Sequence, residues 1–125
     1  MIPHDWIEAA SERLSGRVIH TPVTFDEALG CYLKWENRQQ TGSFKLRGAL
    51  NKVITLQPWE REQGLVAASA GNHGQGVAVA ARLMGLRAVV FAAEHAVPTK
   101  LEAMRSLGAE VRLVPGGYDQ AEKAG

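Results

Sequence analysis

The chain has one cysteine, Cys31, so no disulfide can close within its 125 residues. That fits a reducing compartment. It has no basic run: nine arginines and five lysines are scattered and the formal net charge is only +1. Nothing therefore tracks a nucleic-acid backbone. The segment from Met1 to Leu14 carries Asp5, Glu8, Glu12 and Arg13 and lacks the apolar stretch of a secretory signal. Apolar runs stay far below the ~20 residues that cross a bilayer. The four histidines are too far apart for metal-ligand spacing, and no metal is expected. These absences point to a cytoplasmic globular protein without a nucleic-acid or membrane partner. Apolar residues at 46% and charged residues at 22% agree with that class.

The pattern along the chain is α/β. Ile7, Ala10 and Leu14 at i, i+3 and i+7 predict a helix over Pro3 to Leu14, stopped by Gly16. Pro22 biases Thr21 to an extended or turning backbone. Cys31 to Glu36 reads as a strand and Asn37 to Gly42 as a polar loop. Leu46, Leu50, Val53 and Ile54 predict a helix from Ser43, capped by Ser43 or Thr41, with Pro58 just beyond its end. Leu65 to Ser69 suits a buried strand. A helix with Val77, Ala80, Ala81 and Met84 on one face follows and stops at Gly85. Arg87 to Ala93 is a strand, Pro98 to Leu107 a helix, Glu110 to Val114 a strand, and Tyr118 to Gly125 a helix. From residue 64 the order β-α-β-α-β-α implies a parallel sheet with right-handed crossovers and helices on both faces, a three-layer arrangement.

Two segments carry chemistry. Ser69-Ala70-Gly71-Asn72-His73-Gly74-Gln75-Gly76 lies at the carboxyl end of a strand and opens a helix. Ligands of parallel sheets bind at such ends, and free amides at a helix start favour an anion. The glycines let backbone approach a ligand, or serve only the turn and close helix packing. The order G-x-x-G-x-G is not the dinucleotide fingerprint, and no G-x-x-x-x-G-K-[ST] phosphate loop is present. The second segment, Thr41-Gly42-Ser43-Phe44-Lys45-Leu46-Arg47-Gly48, places a lysine at a helix start, where the dipole disfavours a cation. An amine that must lose its proton and attack an aldehyde suits that place. Partial burial, with Phe44, Leu46 and Leu50 as an apolar surround, is expected to push its pKa down.

Together these segments resemble the fold-type II pyridoxal-phosphate enzymes. Thr41 to Ala49 is similar to their cofactor-lysine motif, and Ser69 to Ala78 to their substrate-carboxylate loop. Further resemblance runs through His20-Thr21-Pro22, Tyr32-Leu33-Lys34-Trp35-Glu36-Asn37 and Leu107-Gly108-Ala109-Glu110-Val111. The details resemble threonine dehydratases. Leu46 stands where cysteine and threonine synthases usually have aspartate, and His73 where they tend to have threonine or serine. Ala70 stands where serine racemases usually carry a serine that moves a proton. Arg38, Gln40 and Ala92-Ala93 depart from the family pattern beside the site.

The resemblance implies pyridoxal 5'-phosphate as cofactor, joined to the amine of Lys45, which then serves as general base for the α-proton of a small amino-acid substrate. It implies that Phe44 packs near the cofactor, that Asn72 meets the cofactor ring oxygen, and that Ser69, Gly71, Asn72 and His73 grip the substrate carboxylate. The activity implied is deaminating dehydration of L-threonine and L-serine. A serine racemase or other branch, and a non-catalytic α/β module, are the alternatives. By the family's layout residues 1–63 begin the larger domain and residues 64–125 form most of the smaller one. The family's phosphate-binding loop and the partner of the pyridine nitrogen lie further downstream. Gly116-Gly117 reads as a turn and not as that loop. An incomplete site, inactive alone, is therefore expected. Apolar surface left bare by the missing part favours a homo-oligomer.

Overall fold

A computed structural model describes residues 2–125. Helix α1 (His4–Leu14) buries only Leu14 and packs on α2 (Lys45–Ile54), where the Arg13 Nε donates to Asn51 Oδ1 at 2.8 Å. Between them lies an antiparallel hairpin of β1 (Val23–Asp26) and β2 (Cys31–Lys34). Its first strand is not visible in the residue pattern, because Val23 and Phe25 are both more than half exposed and no buried face writes a period into the sequence. The segment expected as a loop from Asn37 begins inside a 3-10 turn over Glu36–Arg38.

Helix α2 starts at Lys45, two residues later than expected, and Ser43 Oγ accepts from the Lys45 amide at 3.1 Å. Pro58 does more than mark an end: it is the first residue of a short helix, α3 (Pro58–Gln63). The fixed φ of proline suits that position, and the Gln57 amide donates to Glu60 Oε2 at 2.6 Å. Gly64, at φ 81°, then turns the chain into the sheet.

The sheet is parallel, in the order β3 (Leu65–Ala68), β4 (Ala88–Ala93), β5 (Glu110–Val114). Helices α4 (Asn72–Leu83) and α5 (Pro98–Ser106) cover the face that carries Val90, and α6 (Tyr118–Ala124) lies over the face that carries Phe91. Alternation along β4 puts these two residues on opposite faces. The fold is thus the three-layer α/β arrangement the pattern implied. β3 is less buried than expected: Val66 is 56% exposed, because β3 is an edge strand only partly covered by α6.

One apolar cluster runs from α2 through α4 to the sheet. Leu46, Leu50, Ala80, Val90 and Met104 are fully buried in it. Two of these, Leu46 and Leu50, sit on α2, so the core reaches to the residue next to Lys45.

Candidate active site

The loop after β3 is organised by Ser69. Its buried hydroxyl accepts from the Gly74 amide at 2.9 Å and from the Gly71 amide at 3.3 Å. Its own amide donates to Phe91 O at 2.9 Å, fixing the loop to the neighbouring strand. The next amides, of Asn72 and His73, find no acceptor among the described residues. They begin α4, so the positive end of the helix dipole adds to two free donors. The space before Gly71 is open: a methyl there would meet only Lys100 Nζ, at 3.9 Å. Gly74 is different, since a methyl there would lie 2.3 Å from Met104 Sδ. Gly71 leaves room for a ligand, whereas Gly74 lets the helix close on the core.

Gly76 joins the two motifs. A methyl on it would lie 3.2 Å from Lys45 C, Lys45 O and Leu46 N. α4 therefore rests directly on the first peptide of α2, between Lys45 and Leu46. Asn72 is one turn earlier on α4, about 6 Å along the helix axis.

Lys45 is the first residue of α2, as expected, but its side chain is exposed. Leu46 and Leu50 do not surround it, because both turn into the core. Phe44 lies beside it, with its ring centroid 5.2 Å from Lys45 Nζ. Phe44 itself is 58% exposed. Asn72 and His73 are exposed too. His73 lines an apolar groove of about 440 Å³ with Ala49, Val53, Trp59, Leu65 and Val77, and Lys45 does not line it. Ser69 and Gly71 thus share one loop with Asn72, while His73 also borders this second space.

The sequence reading passed over one cluster. Arg47 clasps Glu36, with Nε to Oε2 at 2.9 Å and Nη2 to Oε1 at 2.8 Å. Thr21, fully buried, donates to Glu36 Oε1 at 2.6 Å. Arg47 Nη2 also donates to Ile19 O at 3.1 Å, and Gln39 brackets Ile19 from both its amide and its carbonyl. The hydrogen bond from Arg47, above all, holds the Glu36 carboxyl below its ordinary value of 4.5; burial opposes this, and Thr21 and the charges of Arg47 and Lys34 add to it. A depressed carboxylate contributes stability above its unfolded pKa and loses it as pH falls through the folded one. The melting temperature should therefore drop on acidification below about pH 4. Glu36→Gln should flatten that acid limb, and thermal melts across pH measure it.

These residues fit the amine-bearing side of a pyridoxal-phosphate site: an exposed lysine with an aromatic ring beside it, and a loop with two free amides and open space before Gly71. Gly116 and Gly117 do not supply a phosphate cradle. Their amides donate to Glu94 Oε1 and Gln120 Oε1, and they form the turn expected of them before α6. Among the described residues no group of acidic, cysteine or histidine side chains could hold a metal ion, and no helix is long and apolar enough to cross a membrane.

The fold and the two joined motifs are those of a fold-type II pyridoxal-phosphate enzyme. A profile of the family described as pyridoxal-phosphate dependent enzyme matches residues 14–125, and the chain belongs to that family. It is 42% identical over 130 residues to an L-threonine ammonia-lyase of Thermotoga maritima, covering 99% of this chain and 32% of the relative. Among solved structures, a serine racemase of maize superposes with a TM-score of 0.90 at 29% identity, over 96% of this chain and 38% of the racemase. The processed form of threonine deaminase isoform 2 from Solanum lycopersicum superposes at 0.84 with 30% identity, over 98% of this chain and 39% of the deaminase. The chain spans about a third of the length of the curated relatives it matches. Threonine ammonia-lyases are thus among its relatives in sequence, and racemases share its fold.

Proposed function

We propose that this chain supplies the lysine and the substrate loop of a pyridoxal-phosphate-dependent ammonia-lyase. The reaction is deaminating dehydration of L-threonine, and of L-serine, to 2-oxobutanoate or pyruvate with release of ammonia. The observation that carries this reading is the seat of Gly76 on the Lys45–Leu46 peptide, which sets the loop helix against the lysine helix. In the proposal Lys45 holds the cofactor aldehyde through its amine, with Phe44 packing beside it and Asn72 facing the cofactor ring oxygen. When bound, the cofactor's ring takes up negative charge developing at the substrate α-carbon.

The residues of the chain do the rest. Lys45 Nζ would accept the α-proton of a substrate held at the loop, its exposed side chain leaving the amine accessible. The amides of Asn72 and His73 bind the substrate carboxylate, with Gly71 giving it room. Ser69 supports this grip from below by fixing the Gly71 and Gly74 amides. Ala70 carries no group that moves a proton, which favours the lyase over the racemase reading despite the shared fold. The division at residues 63 and 64 into parts of a larger and a smaller domain belongs to this proposal, as do an incomplete site and self-association through exposed apolar surface.

Pyridoxal phosphate added to the chain and fixed with borohydride should label Lys45 ahead of the other four lysines, and Lys45→Ala should lose that label. No ammonia should appear from threonine. A label spread evenly over the lysines would remove Lys45 from its role. Ammonia released by the chain alone would show the site to be self-sufficient, and D-serine formed from L-serine without ammonia would make it a racemase.

A further inference from the structure

The first turn of α2 is weakly capped. Phe44, before it, offers no side-chain hydrogen bond, and Ser43 satisfies only the Lys45 amide. Helix starts of this kind fray unless something outside the helix holds them. Two contacts do so here. Gly76 presses on the Lys45–Leu46 peptide. Arg47 reaches out to Glu36, Thr21 and Ile19. Residues two apart on a helix point to opposite sides, so Arg47 grips the turn from the side away from Lys45.

The grip is built for direction as well as strength. Arg47 uses Nε and Nη2 together on the two oxygens of one carboxylate, a planar fork that lysine cannot reproduce. Glu36 is held in turn by the Thr21 hydroxyl, and Lys34 Nζ donates to Thr21 O at 2.7 Å. Gln39, buried, ties down Ile19, the remaining acceptor of Arg47. Two separate stretches of chain, 19–21 and 34–39, thus converge on the residue two positions beyond the lysine.

We propose that Arg47, oriented by Glu36 and Thr21, is a positioning residue that fixes the helix start bearing Lys45. This rests on the reading of Lys45 as the cofactor lysine. It adds a function for a cluster that touches neither cofactor nor substrate loop. A merely structural salt bridge would stabilise the whole fold evenly, whereas a positioning device acts on one turn.

Amide hydrogen exchange by NMR separates the two. In Glu36→Gln and in Arg47→Lys, the Lys45 and Arg47 amides should exchange about tenfold faster, or ~1.4 kcal/mol less protected. The Val90 and Ala92 amides of β4 should change less than about twofold. In the same variants, kept well below their melting temperatures, borohydride-fixed pyridoxal phosphate on Lys45 should fall relative to Lys52 of the same helix. Should either variant fail to fold, Thr21→Val removes one link of the network and is read in the same way. Unchanged exchange at Lys45 and Arg47, or an equal rise throughout β4, would overturn the proposal. So would a local rise that leaves the Lys45 label at its wild-type level. A wild-type chain with no preference for label at Lys45, but with the local rise in the variants, would instead sink the cofactor-lysine reading and leave the Arg47 grip on the helix start standing.

Discussion

Gly76→Val is expected to destabilise the chain by about 3 kcal/mol, the upper part of the range for overpacking a closed interface. The branched side chain must enter a space where a single methyl would already stand 3.2 Å from three backbone atoms of Lys45 and Leu46. Side chains can rotate away from such a clash; a peptide held in the first turn of a helix cannot. Removing a glycine from a helix interior returns only a few tenths of a kcal/mol when valine replaces it. The melting temperature should fall by more than about 10 °C. Because α4 must lift off α2, label from pyridoxal phosphate at Lys45 should fall too, even where the variant is folded. Gly48→Ala is the control. It lies on the same helix as Lys45, exposed, with nothing within 4 Å of an added methyl. It should stabilise by ~0.5–1 kcal/mol. Equal melting temperatures for Gly76→Val and wild type would mean that the two helices do not meet at this glycine.

That contrast marks where the sequence stops being readable. Spacing identified α2 because it writes a buried stripe at helical period, Leu46, Leu50 and Val53; α4, read from Val77, Ala80 and Ala81, is in fact buried all round from Gly76 to Ala81, Ala78 and Val79 included. The alternation of strands and helices after residue 64 gave the parallel sheet. Glycine in the loop announced close approach, but a glycine cannot say what approaches it. Gly71 leaves open space, Gly74 admits Met104, and Gly76 admits a backbone, and only the fold distinguishes them. The second strand of the hairpin is legible, but its first strand and α3 are not, because neither buries enough of itself to leave a period. Arg47, Glu36 and Thr21 were each visible inside resembling segments, yet nothing in a linear pattern pairs residues 11 and 26 positions apart. The expected burial of Lys45 failed for a rotational reason. It falls between buried Ala49, one turn on, and exposed Gly48 and Lys52, so it sits at the margin of the buried stripe.

That margin gives the last expectation its force. Leu46→Ala should cost ~2–5 kcal/mol, as for other leucines removed from closed cores. Leu46 is fully buried in the cluster that joins α2 to α4, and its amide is one of the atoms Gly76 rests on. A small domain has only ~5–15 kcal/mol to lose, so this one change takes a large share. In urea the midpoint should fall with an unchanged slope, the mark of lost stability without a change in the surface exposed on unfolding. Leu46→Met, which nearly conserves volume, should cost less than ~1.5 kcal/mol. Lys45→Ala, one residue away and exposed, should shift stability by no more than ~0.5 kcal/mol. Successive residues of one helix turn would then answer to different demands. Leu46 holds the helix to the core, and Lys45 spends nothing on folding and is free for chemistry. Should Leu46→Ala unfold at the wild-type midpoint, the lysine would lack the rigid footing that a nucleophilic amine beside the loop requires.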